Sequence, residues 1–194
     1  MGVKSQTFHQ SARRDQLVDL ATEIIGEDGV AGLTISALAR RAGVSRGVIG
    51  YNVGDLDALL ALVVARAYSL GREQVRPAVD AAGDPLGSVH GFVSASLRFY
   101  REHPAEMRAL KEVFTDPHLI DRATTPEHRR EAEELGDLVS AGQRAGSIAR
   151  GDVTLLTSLV RAALDVAANR IAAGDDDAAM RDELTAVVDR LLRP

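Results

Sequence analysis

The 194-residue chain contains no cysteine and no tryptophan. Without thiols it has no disulfide, no thiolate metal site and no cysteine nucleophile, a usage that fits a reducing cytoplasm. Aromatic residues are scarce, four Phe and three Tyr, which argues against a large stacked aromatic cage. No uncharged apolar run reaches the roughly 18 residues a membrane span needs, and the opening MGVKSQTFHQ lacks the apolar stretch of a signal sequence. Alternating, β-branched strand patterns are almost missing too. Chemistry is equally thin. There is no phosphate-binding glycine loop, no Ser/His/Asp set at motif spacing and no paired His/carboxylate motif on one helix face. The histidines at 9, 90, 103, 118 and 128 show no ligand spacing. The sequence therefore predicts no enzyme, no metal and no cofactor.

The formal net charge is -5, which by itself disfavours nucleic acid. Its distribution reverses that impression. Residues 1 to 66 hold seven Lys/Arg and seven Asp/Glu, so the deficit lies entirely in the rest of the chain. From Gly29 to Gly54 no acidic residue occurs, only Arg40, Arg41 and Arg46. A locally positive surface suits phosphate contact whatever the global sum.

The apolar residues recur at three and four, and the breaks carry helix punctuation, so the expected fold class is all-α with nine or ten helices. Ser11 is expected to cap a first helix carrying Leu17, Leu20, Ala21, Ile24 and Ile25, ended near Gly29. Thr34 caps a short helix over Ile35 to Ala42, broken by Gly43. Ser45 caps a third, reaching Val53, and Gly54-Asp55 opens a long fourth that Pro77 limits. Gly83-Asp84-Pro85, His103-Pro104, Asp116-Pro117, Thr125-Pro126 and Asp152 open the next five, and Ala178 to Leu192 forms the last.

The segment from Ile35 to Val53 carries the function. Two short helices that cross steeply need a small residue where their backbones approach, supplied by Ala39. They also need a left-handed turn, supplied by Gly43. Apolar positions at Leu38, Ala42, Val44 and Ile49 then pack both helices onto the first. This is a helix-turn-helix. Its third helix points Arg46, Gly47, Gly50 and Tyr51 outward, with Asn52 at the edge. Arg46 is suited to a guanine edge and Asn52 to adenine. Thr34 and Ser45 stand at helix N-termini, as phosphate anchors or as caps alone. Tyr51 either meets DNA or packs over the start of the fourth helix. Arg41, Gly47 and Val48 complete the expected DNA-facing set. Residues 1–54 are thus assigned to a DNA-binding head and 55–194 to a second helical domain.

Leu33-Thr34, Leu38-Ala39, Ala42 to Gly47, Ile49 and Tyr51, followed by Leu59-Leu60, resemble the DNA-binding head of the tetracycline-repressor (TetR) family. Phe99 to Pro104 and Gly142 to Gly146 look like turns of its C-terminal domain. The resemblance implies a homodimer on a palindromic double-stranded operator, released by a small-molecule effector; most members repress. Pockets in the family lie among its middle helices, which makes Phe92, Tyr100, Met107 and Phe114 candidate lining residues as well as ordinary core. Three positions depart from the pattern. Gly50 stands where a phosphate-touching tyrosine is usual, Val53 replaces a phenylalanine, and Leu56 replaces a lysine. Losing two phosphate contacts lowers the salt slope of binding by about two. A small-molecule-binding or protein-interaction module with a weakened head is the alternative reading.

Between Val153 and Ile171, 12 of 19 residues are apolar and they occupy more than one face. Leu155, Leu159, Ala162 and Val166 face one way; Leu156, Val160, Ala163 and Ala167 face another. One side is for the chain's own core. The other predicts a partner subunit, joined by Leu135, Leu138 and Val139 of the preceding helix in a four-helix contact. A single central helix of a monomeric core is the alternative.

Overall fold

The computed structural model describes residues 2–115 and 126–194, with side chains from Ser11 onward except those of His128 and Asp177. The described residues form nine α-helices and one 3-10 turn. They are α1 (Gly2–Asp28), α2 (Ile35–Ala42), α3 (Arg46–Val53), α4 (Leu56–Asp80), α5 (Pro85–Glu102), α6 (Pro104–Thr115), α7 (Pro126–Ala145), α8 (Val153–Ala172) and α9 (Asp177–Leu192), with the 3-10 turn at Val30–Gly32. The expected helix opening at Asp116-Pro117 lies outside the described residues, as does His118. No single described helix is long and apolar enough to cross a membrane.

The chain divides into two compact units: the described parts of Met1–Ala67 with Ala105–Pro126, and Tyr68–Pro104 with Glu127–Pro194. In the first, α1 buries Leu17, Val18, Ala21, Ile24 and Ile25; Leu38 of α2 and Ile49 of α3 close over them with no exposed surface. Each such aliphatic side chain contributes about 1.5–3 kcal/mol. Ala109 and Val113 of α6 are also fully buried. The Glu112 carboxylate accepts a hydrogen bond from the Val30 amide at 2.7 Å, so a side chain of α6 caps the 3-10 turn that precedes α2.

The caps follow the residues. Thr34 Oγ1 accepts from the Ala37 amide at 3.0 Å, Asp84 from Gly87 at 3.0 Å and Asp152 from Leu155 at 2.7 Å. Two expectations fail. Ser11 does not cap α1, which begins at Gly2. Pro77 does not end α4, which continues to Asp80. Pro77 and Glu73, four residues before it, both lie on the exposed side of the helix, so water can serve the carbonyl left without a partner.

In the second unit, α5 packs against both α8 and α9, which also pack on each other. Val89, Val93, Leu97, Leu135, Val139, Val160 and Leu164 form the middle of its core. The turn after α7 is tied down locally: Gln143 Nε2 donates to the carbonyls of Ala149 and Gly151, each at 3.0 Å. Ala149 in turn donates its amide to Leu192 at the end of α9, 2.7 Å away. Where α5 crosses α4, the backbones touch. A Cβ added at Gly91 would stand 2.5 Å from the Ala78 carbonyl oxygen, and backbone cannot yield as a side chain can. Gly91→Ala is therefore expected to destabilise the protein by about 1–3 kcal/mol, read as a lower urea midpoint at unchanged slope. An unchanged midpoint would mean that the helices separate freely at this crossing.

Candidate DNA-reading surface

The surface is built at the elbow between α2 and α3. Gly43 adopts the left-handed conformation, φ 65 and ψ 32, and nothing lies within 4 Å of where its Cβ would be. The glycine is thus required by backbone conformation and not by space. The Val44 amide donates to Ala39 at 3.0 Å and the Gly43 amide to Arg40 at 3.3 Å, the paired bonds that close a helix on a left-handed residue. Ala39 is 6% exposed. Ser45 then caps α3, its Oγ accepting from Val48 at 3.4 Å, a long bond that leaves the hydroxyl available to another donor.

Ile49 and Val53 anchor α3 from beneath, with 0% and 4% exposure. Arg46, Gly47, Val48, Gly50 and Tyr51 lie on its exposed side. Tyr51 is 74% exposed and Val48 37%, so Tyr51 does not pack over the start of α4. No described side chain pairs with Arg46. Nothing lies within 4 Å of a Cβ at Gly50; its lack of a side chain leaves a bare backbone strip between Arg46 and Tyr51.

Asn52 is a correction. It is only 7% exposed, its side-chain Nδ2 donates to the Val48 carbonyl at 2.8 Å, and its backbone carbonyl accepts from Arg14 Nε at 2.9 Å. Its position one residue past Tyr51 turns it under the helix, so it secures α3 and presents no edge to a base. Arg41 is exposed but engaged. Its guanidinium meets Glu27 of α1 at 2.6 and 2.7 Å, and that hydrogen bond holds the Glu27 carboxyl below its usual range. Arg14 and Arg13 are likewise occupied, Arg13 with Gln16 at 2.9 Å. The free cation that spacing did not single out is Arg40, exposed on α2 and with no ion pair among the described residues. Its neighbour Arg41 has the same charge in the sequence; only the fold shows which one α1 neutralises.

The expected dimer residues split into two groups. Leu155, Leu159 and Val166 of α8 are 58%, 43% and 60% exposed, and Ala162 lies on the same open face. Leu135 and Val139 of α7 are 0% exposed and belong to the core of their own unit. With no exposed surface they have none to offer a partner, because α7 turns them into the core of its own unit; Leu138 is half-buried. Of the candidate effector residues, Phe92 is 7% exposed within the core of the second unit and Tyr100 packs against that core. Met107 and Phe114 belong to α6 of the first unit.

Comparison with known proteins agrees with this geometry. Residues 17–55 match the family model of bacterial regulatory proteins of the tetR family, and residues 107–194 match the tetracyclin repressor-like C-terminal domain. The HTH-type transcriptional regulator BetI of Stenotrophomonas maltophilia is 31% identical over 89 residues, 45% of each chain. BetI of Paraburkholderia xenovorans is 29% identical over 120 residues, 53% of this chain and 62% of that one. The chain thus spans about half the length of the curated relatives it matches. A TetR-family regulator from Rhodococcus sp. superposes with a TM-score of 0.81 at 18% identity, covering 94% of this chain and 99% of that one. The fatty acid degradation regulator FadR of Bacillus halodurans gives 0.80 at 17%, covering 90% and 93%.

If Asn52 fixes α3 and Arg46 does not, the two alanine variants part company. Asn52→Ala is expected to lower thermal stability by about 1 kcal/mol, whereas Arg46→Ala leaves the melting temperature unchanged. Equal melting of both variants would contradict the assignment. An α3 anchored by Ile49, Asn52 and Val53 and presenting Arg46, Val48 and Tyr51, with both family models matched, makes this chain a member of the TetR family of transcriptional regulators.

Proposed function

We propose that the protein is a ligand-responsive repressor that binds a palindromic double-stranded operator as a homodimer and is released by a small-molecule effector. Residues 1–54 serve as the DNA-reading head and 55–194 as the effector-binding and dimerisation domain, in a cytoplasmic setting. The observation that carries the reading is the exposed trio Arg46, Val48 and Tyr51 on a helix whose other side is fully anchored. Arg46 donates two hydrogen bonds to a guanine edge, and Val48 and the Tyr51 ring offer apolar contact to a thymine methyl. Thr34, Ser45 and Gly47 lie where α2 and α3 begin and place backbone amides toward phosphate. Arg40 adds a phosphate contact that Arg41, held by Glu27, does not.

Dimerisation follows from geometry of the target. Two recognition helices meet successive major grooves only at a spacing of about 34 Å, which needs a fixed partner. Support comes from the α8 stripe Leu155, Leu159, Ala162 and Val166, whose members recur every three or four residues and lie open in the single chain. The effector acts through its differential affinity for the DNA-competent and released states. One observation favours the alternative, a binding module with a weakened head: Gly50 leaves part of the reading surface without a side chain.

Two measurements check the reading. On an operator selected from random duplex DNA, Arg46→Ala is expected to weaken binding roughly tenfold to a hundredfold and to relax the base preference at one position of each half-site; unchanged affinity would remove the contact. Leu159→Glu is expected to halve the mass in sedimentation and to lose the operator shift at concentrations where the wild type binds. A variant that remains dimeric would place the subunit interface elsewhere.

A further inference from the structure

The chain leaving α1 must turn before α2 can begin, and it does so in few residues. Gly29 takes φ 76. The Gly32 amide then donates to the Gly29 carbonyl and the Leu33 amide to the Val30 carbonyl, both at 3.0 Å, and Leu33 is buried. Thr34 follows at once as the cap of α2. Whatever fixes Val30 therefore fixes the start of α2.

The first amide of such a turn has no backbone acceptor. Gly29, at the capping position, has no side chain to offer, and no local side chain caps the turn. The Val30 amide donates instead to Glu112 Oε2 of α6, 2.7 Å away and 82 residues on in the chain.

This approach is fitted from both sides. A Cβ on Gly29 would stand 2.8 Å from the same Glu112 oxygen, and its φ lies in the left-handed range, so glycine suits position 29 on both counts. On the other side, α6 belongs to the same compact unit as the turn and is seated there by apolar contact. Ala105 Cβ lies 3.5 Å from where a Cβ of Gly26 on α1 would be, and Ala109 and Val113 are fully buried. Ala105, Ala109, Glu112 and Val113 recur at helical spacing, so the carboxylate shares the inward face of α6. A charged group on such a face needs a hydrogen-bond partner there. The Val30 amide is that partner.

We propose that Glu112 is a positioning residue for DNA reading: by holding the Val30 amide it fixes the entry to α2, and with it the helix pair that carries Arg46 and Tyr51. This rests on the DNA-reading surface proposed above. A carboxylate is no phosphate contact, and near a polyanion its charge opposes binding. The sign of its effect therefore separates two roles. If Glu112 acted through charge alone, its removal would tighten the complex. Acting through the turn, its removal frees residues 30–33, which then have to be ordered on binding, and the complex weakens.

The test is a set of three full-length variants that separate reach from charge. Glu112→Ala loses both. Glu112→Asp keeps the charge but falls one methylene short of Val30. Glu112→Gln loses the charge but keeps an acceptor where Oε2 stands. Affinity is read by fluorescence anisotropy on an operator that the wild type selects from random duplex DNA. It is referred to the folded fraction measured by circular dichroism at the same temperature, so plain destabilisation does not register. The alanine and aspartate variants are expected to bind about tenfold more weakly, the equivalent of one hydrogen bond to a charged group, and the glutamine variant to stay within about twofold of the wild type. In the free protein the Val30 amide is expected to exchange with solvent at least about tenfold faster in the first two variants and at the wild-type rate in the third. Tighter binding by Glu112→Ala, wild-type binding by Glu112→Asp, Glu112→Gln as weak as Glu112→Ala, or equal Val30 exchange in all four proteins would each overturn the assignment. If the wild type selects no duplex, the DNA-reading proposal falls and the role of Glu112 with it. If it selects one that all three variants bind equally well, only the role of Glu112 falls.

Discussion

The backbone at Gly43 turns through a conformation that costs an L side chain roughly 1–2 kcal/mol, and the direction of α3 depends on that turn. With φ at 65 and the Val44 amide closed onto Ala39, α3 leaves α2 steeply and not as its continuation. Only then do Ile49, Asn52 and Val53 fall against α1 and α2 while Arg46, Val48 and Tyr51 remain outside. A residue with a Cβ at position 43 would meet no atom. It would instead weaken the turn itself, and with it the division of α3 into an anchored side and a reading side.

Charge in the head is managed by subtraction. The segment Gly29 to Gly54 offers three arginines and no acid, but the structure removes one of them from use: Glu27 and Glu23 of α1 reach across to Arg41. An exposed bidentate pair of this kind adds little stability. Its consequence is spatial, because it confines the positive surface to Arg40 and Arg46. The Arg14 bond to the Asn52 carbonyl works in the same direction, spending a cation on the frame of α3.

The second unit sets two uses of helix surface side by side. The inner face of α8, with Val160, Leu164 and Ala167 buried, is ordinary core. Its outer face repeats the same residue types at Leu155, Leu159, Ala162 and Val166 without covering them. Between these faces the helix carries a polar edge: Thr157 buried, Arg161 half-buried and Asp165 exposed. One helix thus presents core, exposed apolar stripe and polar edge at once, which a repeat of 3.6 residues per turn allows.

The sequence by itself determined the local grammar. Helix limits at Thr34, Gly43, Ser45, Asp84, Pro104 and Asp152 follow from caps and turn residues whose chemistry acts within four residues, and the α2–α3 elbow was legible for the same reason. The two-faced composition of α8 was legible from periodicity alone. What only the tertiary structure decided involves partners far apart in the chain. Asn52 reads as a base contact until burial and the Val48 carbonyl claim its side chain, and Arg40 and Arg41 are equivalent until Glu27 chooses between them. Glu112 caps Val30 from 82 residues away. Leu135 and Val139 carry no mark of which face of α7 the core takes. Periodicity records that a helix has faces; only packing assigns each face its neighbour, because burial and pairing are properties of the assembled chain.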